Sequence, residues 1–150
     1  NILVFSDADT IVSKNYLREI SRTIERGYDY GGGPWKSESE KLLGRYLAFT
    51  NTQYNKKEIG GNFFIKKSYF EKIKGFNEEM IKGEDTDFGQ RLKKEGAKHS
   101  FLEKTHIIPS ERRFRKKGYI RLILTGWLEA FLYRKFRKYY NEKISKPNSS

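Results

Sequence analysis

An α/β domain built on largely parallel strands is what this sequence predicts, and three observations predict it. Short apolar runs, Ile2-Leu3-Val4-Phe5 and Phe63-Phe64-Ile65, end or begin in polar and glycine-rich stretches, as strands covered on both faces do. Segments with apolar residues at helical spacing lie between such runs, and strand–helix alternation marks the α/β architecture. Gly27, Gly75 and Gly96 close those helical segments, as glycines after a last helical turn commonly do.

The elements follow in order. Ile2 to Phe5 is apolar without interruption and reads as an interior strand. Ser13 is placed to cap a helix carrying Tyr16, Leu17, Ile20 and Ile24. Tyr28 to Tyr30 is a short strand that Gly31-Gly32-Gly33-Pro34 is expected to break. Ser37 with Glu40 forms a capping-box pair before Leu42, Leu43, Tyr46 and Leu47, and Ser68 with Glu71 forms a second. Residues 50–58 are polar and carry no clear period. A helix is predicted from about Glu84 to Glu95, with Phe88 and Leu92 on one face. Lys98 to Leu102 and Thr105 to Ile108 read as two short strands.

Composition narrows the class. A length of 150 residues suffices for one domain with a core, and Phe 11, Tyr 10 and Trp 2 argue against disorder. Cysteine is absent, which excludes disulfides and thiolate metal sites. Residue 1 is Asn and the first strand begins at once, so the expectation is a fragment that starts inside a sheet. Charge is uneven. Residues 111–150 carry 12 basic and 3 acidic side chains, net +9, out of +12 for the whole chain. A nucleic-acid reading would rest on that tail alone.

Asp7 and Asp9 sit just past the first strand. Ligands of open α/β sheets bind at the carboxyl ends of strands. Two carboxylates one residue apart in a turn can converge on one hard divalent cation, Mg²⁺ or Mn²⁺, which also takes phosphate oxygens. The alternative is that both acids cap the next helix or face solvent. A strand followed by D-x-D also opens haloacid-dehalogenase-like phosphatases. The register here is wrong for them, because Thr10 directly follows Asp9 and Ile11 holds the position that Thr or Val should fill. A second acidic group, Glu84, Asp85 and Asp87, opens the predicted fourth helix. Alone it would be a common helix start, since carboxylates suit the positive end of the helix dipole.

Taken together, ILVFSDADT, GGNFFIKKSYFEKIKGFNEE and GEDTDFGQRLKKEG, in this order, resemble family 2 glycosyltransferases of the GT-A type, from residue 2 to about residue 116. The resemblance implies a partial GT-A fold with a mixed sheet over 1–117, without the N-terminal nucleotide-binding strands, then a basic amphipathic helical extension over 118–145 and a disordered tail over 146–150. It implies an inverting transferase moving a sugar from a nucleotide-sugar donor to a hydroxyl of a glycan, lipid-linked or polysaccharide acceptor. Asp7 and Asp9 would hold the metal and the donor's diphosphate region. Asp85 would be the general base, supported by Glu84 and Asp87, and Gly60, Gly61 and Asn62 would lie near donor sugar and acceptor. Many relatives place a metal-ligating His after the acidic helix. In this chain His106 falls short of that register, and a structural role is the favoured reading.

Ser110 to Lys117 is densely basic, and some relatives carry a similar Ser-x-Arg-Arg. Arg112 and Arg113 would then contact the donor diphosphate, the alternative being a solvated surface run. Tyr119 to Tyr133 is apolar on most sides but too short and interrupted for a clean membrane span. With Trp127 and the cluster Arg134, Lys135, Arg137 and Lys138, residues 118–140 suit peripheral contact with a membrane interface, and packing on the domain is the alternative. The expected location is cytoplasmic, at the inner face of the cell membrane. Three alternatives stand beside the transferase reading. A metal-dependent phosphatase keeps the acids but fails on register. A nucleotidyltransferase uses paired acids but gives no reason for Gly75-Phe76 or the start of the acidic helix. A basic nucleic-acid-binding module leaves Asp7, Asp9, Glu84, Asp85 and Asp87 unexplained.

Overall fold

The computed structural model of the chain describes residues 1–39, 41–80, 83–121, 123–125 and 128. The elements are β1 (Ile2–Phe5), β2 (Thr10–Val12), α1 (Tyr16–Glu25), β3 (Tyr30–Gly32), α2 (Leu42–Asn55), β4 (Phe63–Lys66), α3 (Lys67–Lys72), α4 (Glu84–Lys94), β5 (His99–Phe101), β6 (Ile107–Pro109) and α5 (Arg112–Lys117). Residues 119–121, 123–125 and 128 are also helical. The rest of the extension expected over 118–145, the tail 146–150 and the Glu40 half of the first capping box lie outside the described residues.

The main sheet is mixed and four-stranded, ordered β1-β4-β3-β5. β1 and β3 both run antiparallel to β4 and only β3 and β5 are parallel among the named strands, which corrects the expectation of largely parallel strands. A two-stranded antiparallel ribbon pairs β2 with β6. Successive side chains of β4 point to opposite faces of the sheet. Phe63 and Ile65 join Tyr30, Ile59, Phe88 and Leu92 on one face, so α4 covers that side. Phe64 joins Tyr16, Ile20, Leu102 and Ile107 on the other, where α1 lies.

Several expectations are corrected. Among the described residues β1 pairs with β4 alone, and Ile2 and Val4 are 37% and 40% exposed, the open edge and apolar surface expected where a chain starts inside a sheet. Leu3 and Phe5 turn inward onto the Phe63–Phe88 cluster, so an uninterrupted apolar run hides an alternation of buried and open faces. Gly31 and Gly32 do not break a strand but form most of β3. A Cβ on Gly31 would stand 1.8 Å from the Ser100 carbonyl oxygen, so only glycine permits β5 this close.

The serine caps also differ from expectation. None of α1, α2 or α3 has a side-chain cap hydrogen bond, and α3 begins one residue before Ser68. Ser13 instead donates to Asn15 Oδ1 (2.9 Å) and bonds the Thr105 hydroxyl, which ties the start of α1 to the approach to β6. The closing glycines stand as expected, Gly27 and Gly96 at φ +89° and +75°.

Candidate functional site

The β1–β4 register places Phe5 opposite Phe63, so residues just after β1 and just before β4 share one end of the sheet. The chain turns sharply there, with the Thr10 amide donating to the Asp7 carbonyl at 3.2 Å. Buried Asn62 holds the turn from below. Its Oδ1 accepts from the Asp7 amide (3.2 Å) and the Ser6 hydroxyl (2.9 Å), and its Nδ2 donates to Asp7 Oδ2 (3.3 Å). A Cβ on Gly61 would lie 3.2 Å from that same oxygen. Gly61 and Asn62 therefore position the Asp7 carboxylate, which itself remains exposed. Gly60 lies one residue back, where a Cβ would press within 3.0 Å of Asn55 Oδ1.

Asp9 is held by the β2–β6 ribbon. Its carbonyl accepts from the Ser110 amide at 3.1 Å. That pairing brings the first turn of α5 beside the acids, and Arg112 Nη2 stands 3.9 Å from Asp9 Oδ2, both side chains well exposed. Arg113 lies on the same helix, its side chain outside the described residues. At this range in high dielectric the attraction is weak. A guanidinium can make bidentate hydrogen bonds to carboxylate or phosphate oxygens.

The helix that carries the second acidic group is anchored to the sheet by aromatic packing. Phe5 stacks on Phe63 at 4.8 Å, Phe63 meets Phe88 at 5.7 Å, and Phe88 stacks on Phe76 at 4.5 Å. Ile59, leading into the Gly60–Asn62 loop, packs so tightly on α4 that a Cβ on Gly89 would sit 3.2 Å from it. The Gly60–Asn62 loop and α4 are thus packed together through Ile59 and Gly89. Among the described residues no hydrogen bond or ion pair joins Asp85 to Asp7 or Asp9.

Gly83, left-handed at φ +80°, turns the chain into α4 and leaves Glu84 exposed and Asp85 half-buried in the first turn. Burial raises the Asp85 carboxyl above the usual carboxylate range, and the Glu84 charge adds to the rise. The Thr86 amide donates to Asp85 Oδ1 at 2.8 Å and opposes it, but burial prevails. Tyr54 borders this turn, its hydroxyl 3.1 Å from Thr86 Oγ1. Asp87 faces the scaffold instead. It pairs with Arg91 at 2.7 Å, and Arg91 Nη1 donates to the Ile73 and Gly75 carbonyls, each at 2.7 Å. Asp87 thus belongs to a clamp that holds the turn after α3 against α4.

His106 lines a groove of about 570 Å³ with Trp35, Lys36, Phe49 and Thr105, and burial together with Lys36 holds its pKa below the ordinary value. Among the described residues no three His, Asp or Glu side chains gather into a group that could hold a metal ion. A cation at Asp7 and Asp9 would therefore draw its remaining ligands from phosphate oxygens and water, which suits Mg²⁺ and Mn²⁺.

Sequence reasoning missed Glu111. This buried carboxylate accepts from the Ser37, Ser39 and Tyr119 hydroxyls and from the Glu38 amide. Those bonds outweigh burial and hold its pKa down at about 2. Glu111 fixes the residue just before α5, and so fixes where Arg112 begins. Only its position beside the Arg pair hinted at this.

Residues 41–117, just over half of the chain, match the family model described as the N-terminal domain of galactosyltransferase. The matched span contains Gly60, Gly61, Asn62, the acidic turn of α4, Arg112 and Arg113, and stops short of Asp7 and Asp9. No curated protein sequence matches the chain.

Proposed function

The chain belongs to the family described as the N-terminal domain of galactosyltransferase, and on that premise we propose that it moves a sugar from a nucleotide-sugar donor to an acceptor hydroxyl with inversion. A glycosyltransferase is what the family supplies. The inverting course, the metal and the residue roles are our reading, and so is the closer kinship to family 2 enzymes of GT-A type. The family match over residues 41–117 is the observation that carries the proposal.

Asp85 takes the proton of the acceptor hydroxyl. As that proton leaves, the acceptor oxygen bonds to the anomeric carbon and the bond to the diphosphate breaks on the far side, which inverts the centre. A raised carboxyl pKa suits this task, because a base must compete for a poorly acidic proton. Glu84 stands next to Asp85 in the first turn of α4, and Asp87 holds the turn through Arg91. Asp7 and Asp9 would hold Mg²⁺ or Mn²⁺ against the donor diphosphate, where the ion offsets the charge of the leaving group. The Asn62 and Gly61 contacts to Asp7 support that assignment, since they orient its carboxylate. Arg112 adds a donor for phosphate oxygens. The acceptor we propose is a glycan, lipid-linked or polysaccharide hydroxyl at the cytoplasmic face of a membrane.

The test incubates the protein with Mn²⁺, candidate acceptors and a panel of nucleoside diphosphate sugars that includes galactosyl donors. Nucleoside diphosphate release is followed, and the anomeric configuration of the product is read by NMR. Metal-dependent release with an inverted product is expected. Release from no donor, or a retained configuration, overturns the proposal.

A further inference from the structure

Leu42, Leu43, Tyr46 and Phe49 fall at helical spacing along α2, and all stand exposed, Leu42 at 80%. Ile120, Leu124 and Leu128 recur every four residues in the helix after α5 and are 64%, 64% and 58% exposed. Leu43 and Tyr46 of the first stripe and Ile120 and Leu124 of the second line one groove of about 500 Å³ together with Ile123, with Leu42, Phe49 and Leu128 exposed beyond it. Large apolar side chains left exposed together on two neighbouring helices are the feature that marks an interaction site. Its rim is basic. Lys41 and Arg45 flank the α2 stripe, Lys116, Lys117 and Arg121 flank Ile120, and all five are exposed.

Three kinds of partner can be weighed by chemistry. A nucleic acid would match the charge and leave the apolar stripes in water. A second copy would cover the stripes but set a chain of net +12 against another of net +12. An anionic bilayer surface meets both features, since headgroups take the basic rim and the acyl boundary takes the stripes. Among the described residues no helix is long and apolar enough to cross a membrane. We propose that α2 and the helix after α5 form one composite surface that lies on an anionic lipid bilayer. The surface thus includes α2, not the C-terminal segment alone, and it stands independently of the sugar-transfer reading.

The experiment floats the full chain, without donor, on vesicles of phosphatidylcholine alone and of phosphatidylcholine with one third phosphatidylglycerol, at low and high salt. Binding to the anionic vesicles that weakens with salt is expected. Each basic side chain near the surface contributes about fivefold in affinity, so K116Q/K117Q/R121Q should lose on the order of 100-fold. L42S/F49S, confined to α2, should also release the protein while leaving its circular dichroism unchanged, since both side chains are exposed. Equal binding to the two vesicle types, no binding, or α2 substitutions without effect overturns the proposal. So does self-association, or capture by an acidic protein, that the same substitutions abolish while vesicle binding persists.

Discussion

Asp85 is a carboxylate whose surroundings disfavour its charge, and two consequences follow at the scale of the single residue. Asp85→Asn removes the proposed proton acceptor and keeps the shape, so turnover should fall on the order of 100- to 10,000-fold with donor binding nearly intact. Wild-type turnover would exclude Asp85 as base. The base must be ionised, so the acidic limb of the rate profile should fall at higher pH than an ordinary carboxylate would give, and Asp85→Asn should abolish that limb. Folding carries the opposite sign. A carboxyl raised on folding costs stability above its folded pKa, so the same variant should unfold at equal or higher denaturant. Glu111 behaves the other way. Its pKa drops on folding from 4.5 to about 2, so its stabilisation is full above 4.5 and is lost as pH falls towards 2. Glu111→Gln should flatten that acid limb in denaturant midpoints, and an unchanged limb would assign it to other carboxylates. The two residues also differ in how visible they are in sequence. Asp85 stands out through its order after Asp7, Asp9 and the glycine pair. Glu111 does not, because Ser37 and Ser39 lie more than 70 residues away and no local pattern announces them.

At the scale of elements, close approach decides what the glycine run in β3 does. With Ser100 oxygen 1.8 Å from the Cβ that alanine would add, Gly31→Ala must push β5 away from β3. Overpacking of a well-fitted site costs roughly 1–3 kcal/mol, and backbone oxygen cannot rotate aside as a side chain can, so a loss near about 3 kcal/mol is expected. Chemical denaturation measures it, and a loss under about 1 kcal/mol would mean that the parallel pair tolerates a wider spacing. The strand–helix order was legible from apolar period and closing glycines, because β4, α1 and α4 bury faces that local spacing reveals. β2 was not legible, because three residues after a turn gain their pairing from β6, nearly a hundred positions on. α5 read as a basic run, since charge density masks the helical period. The serine caps failed for a related reason. Ser13 and Ser37 found tertiary partners, and a hydroxyl engaged there is not available to a helix start.

Across the whole molecule, the sheet, the ribbon and the aromatic cluster are joined through β1 and β4. β1 delivers Asp7, the β2–β6 ribbon delivers Asp9 and Arg112, and Phe88 seats the α4 turn against Phe63. Ligand binding at Asp7 and Asp9 should therefore be felt by the global unfolding transition rather than by one loop. A ligand that binds only the native state adds RT ln(1 + [L]/Kd), which is about 2.7 kcal/mol at a hundredfold excess over Kd. For a domain near this length each kcal/mol moves Tm by roughly 2–4 °C, so Mn²⁺ with a nucleoside diphosphate should raise Tm by about 5–10 °C. Either component alone should do less, because two carboxylates offer the cation few ligands without phosphate. Asp9→Asn should remove most of the joint shift without lowering the unliganded Tm by more than about 1 °C, since its exposed contact to Arg112 stabilises little. Calorimetric scans of both proteins, with each component and with the pair, decide the matter. A joint shift of the same size in Asp9→Asn would place the metal away from the acids after β1.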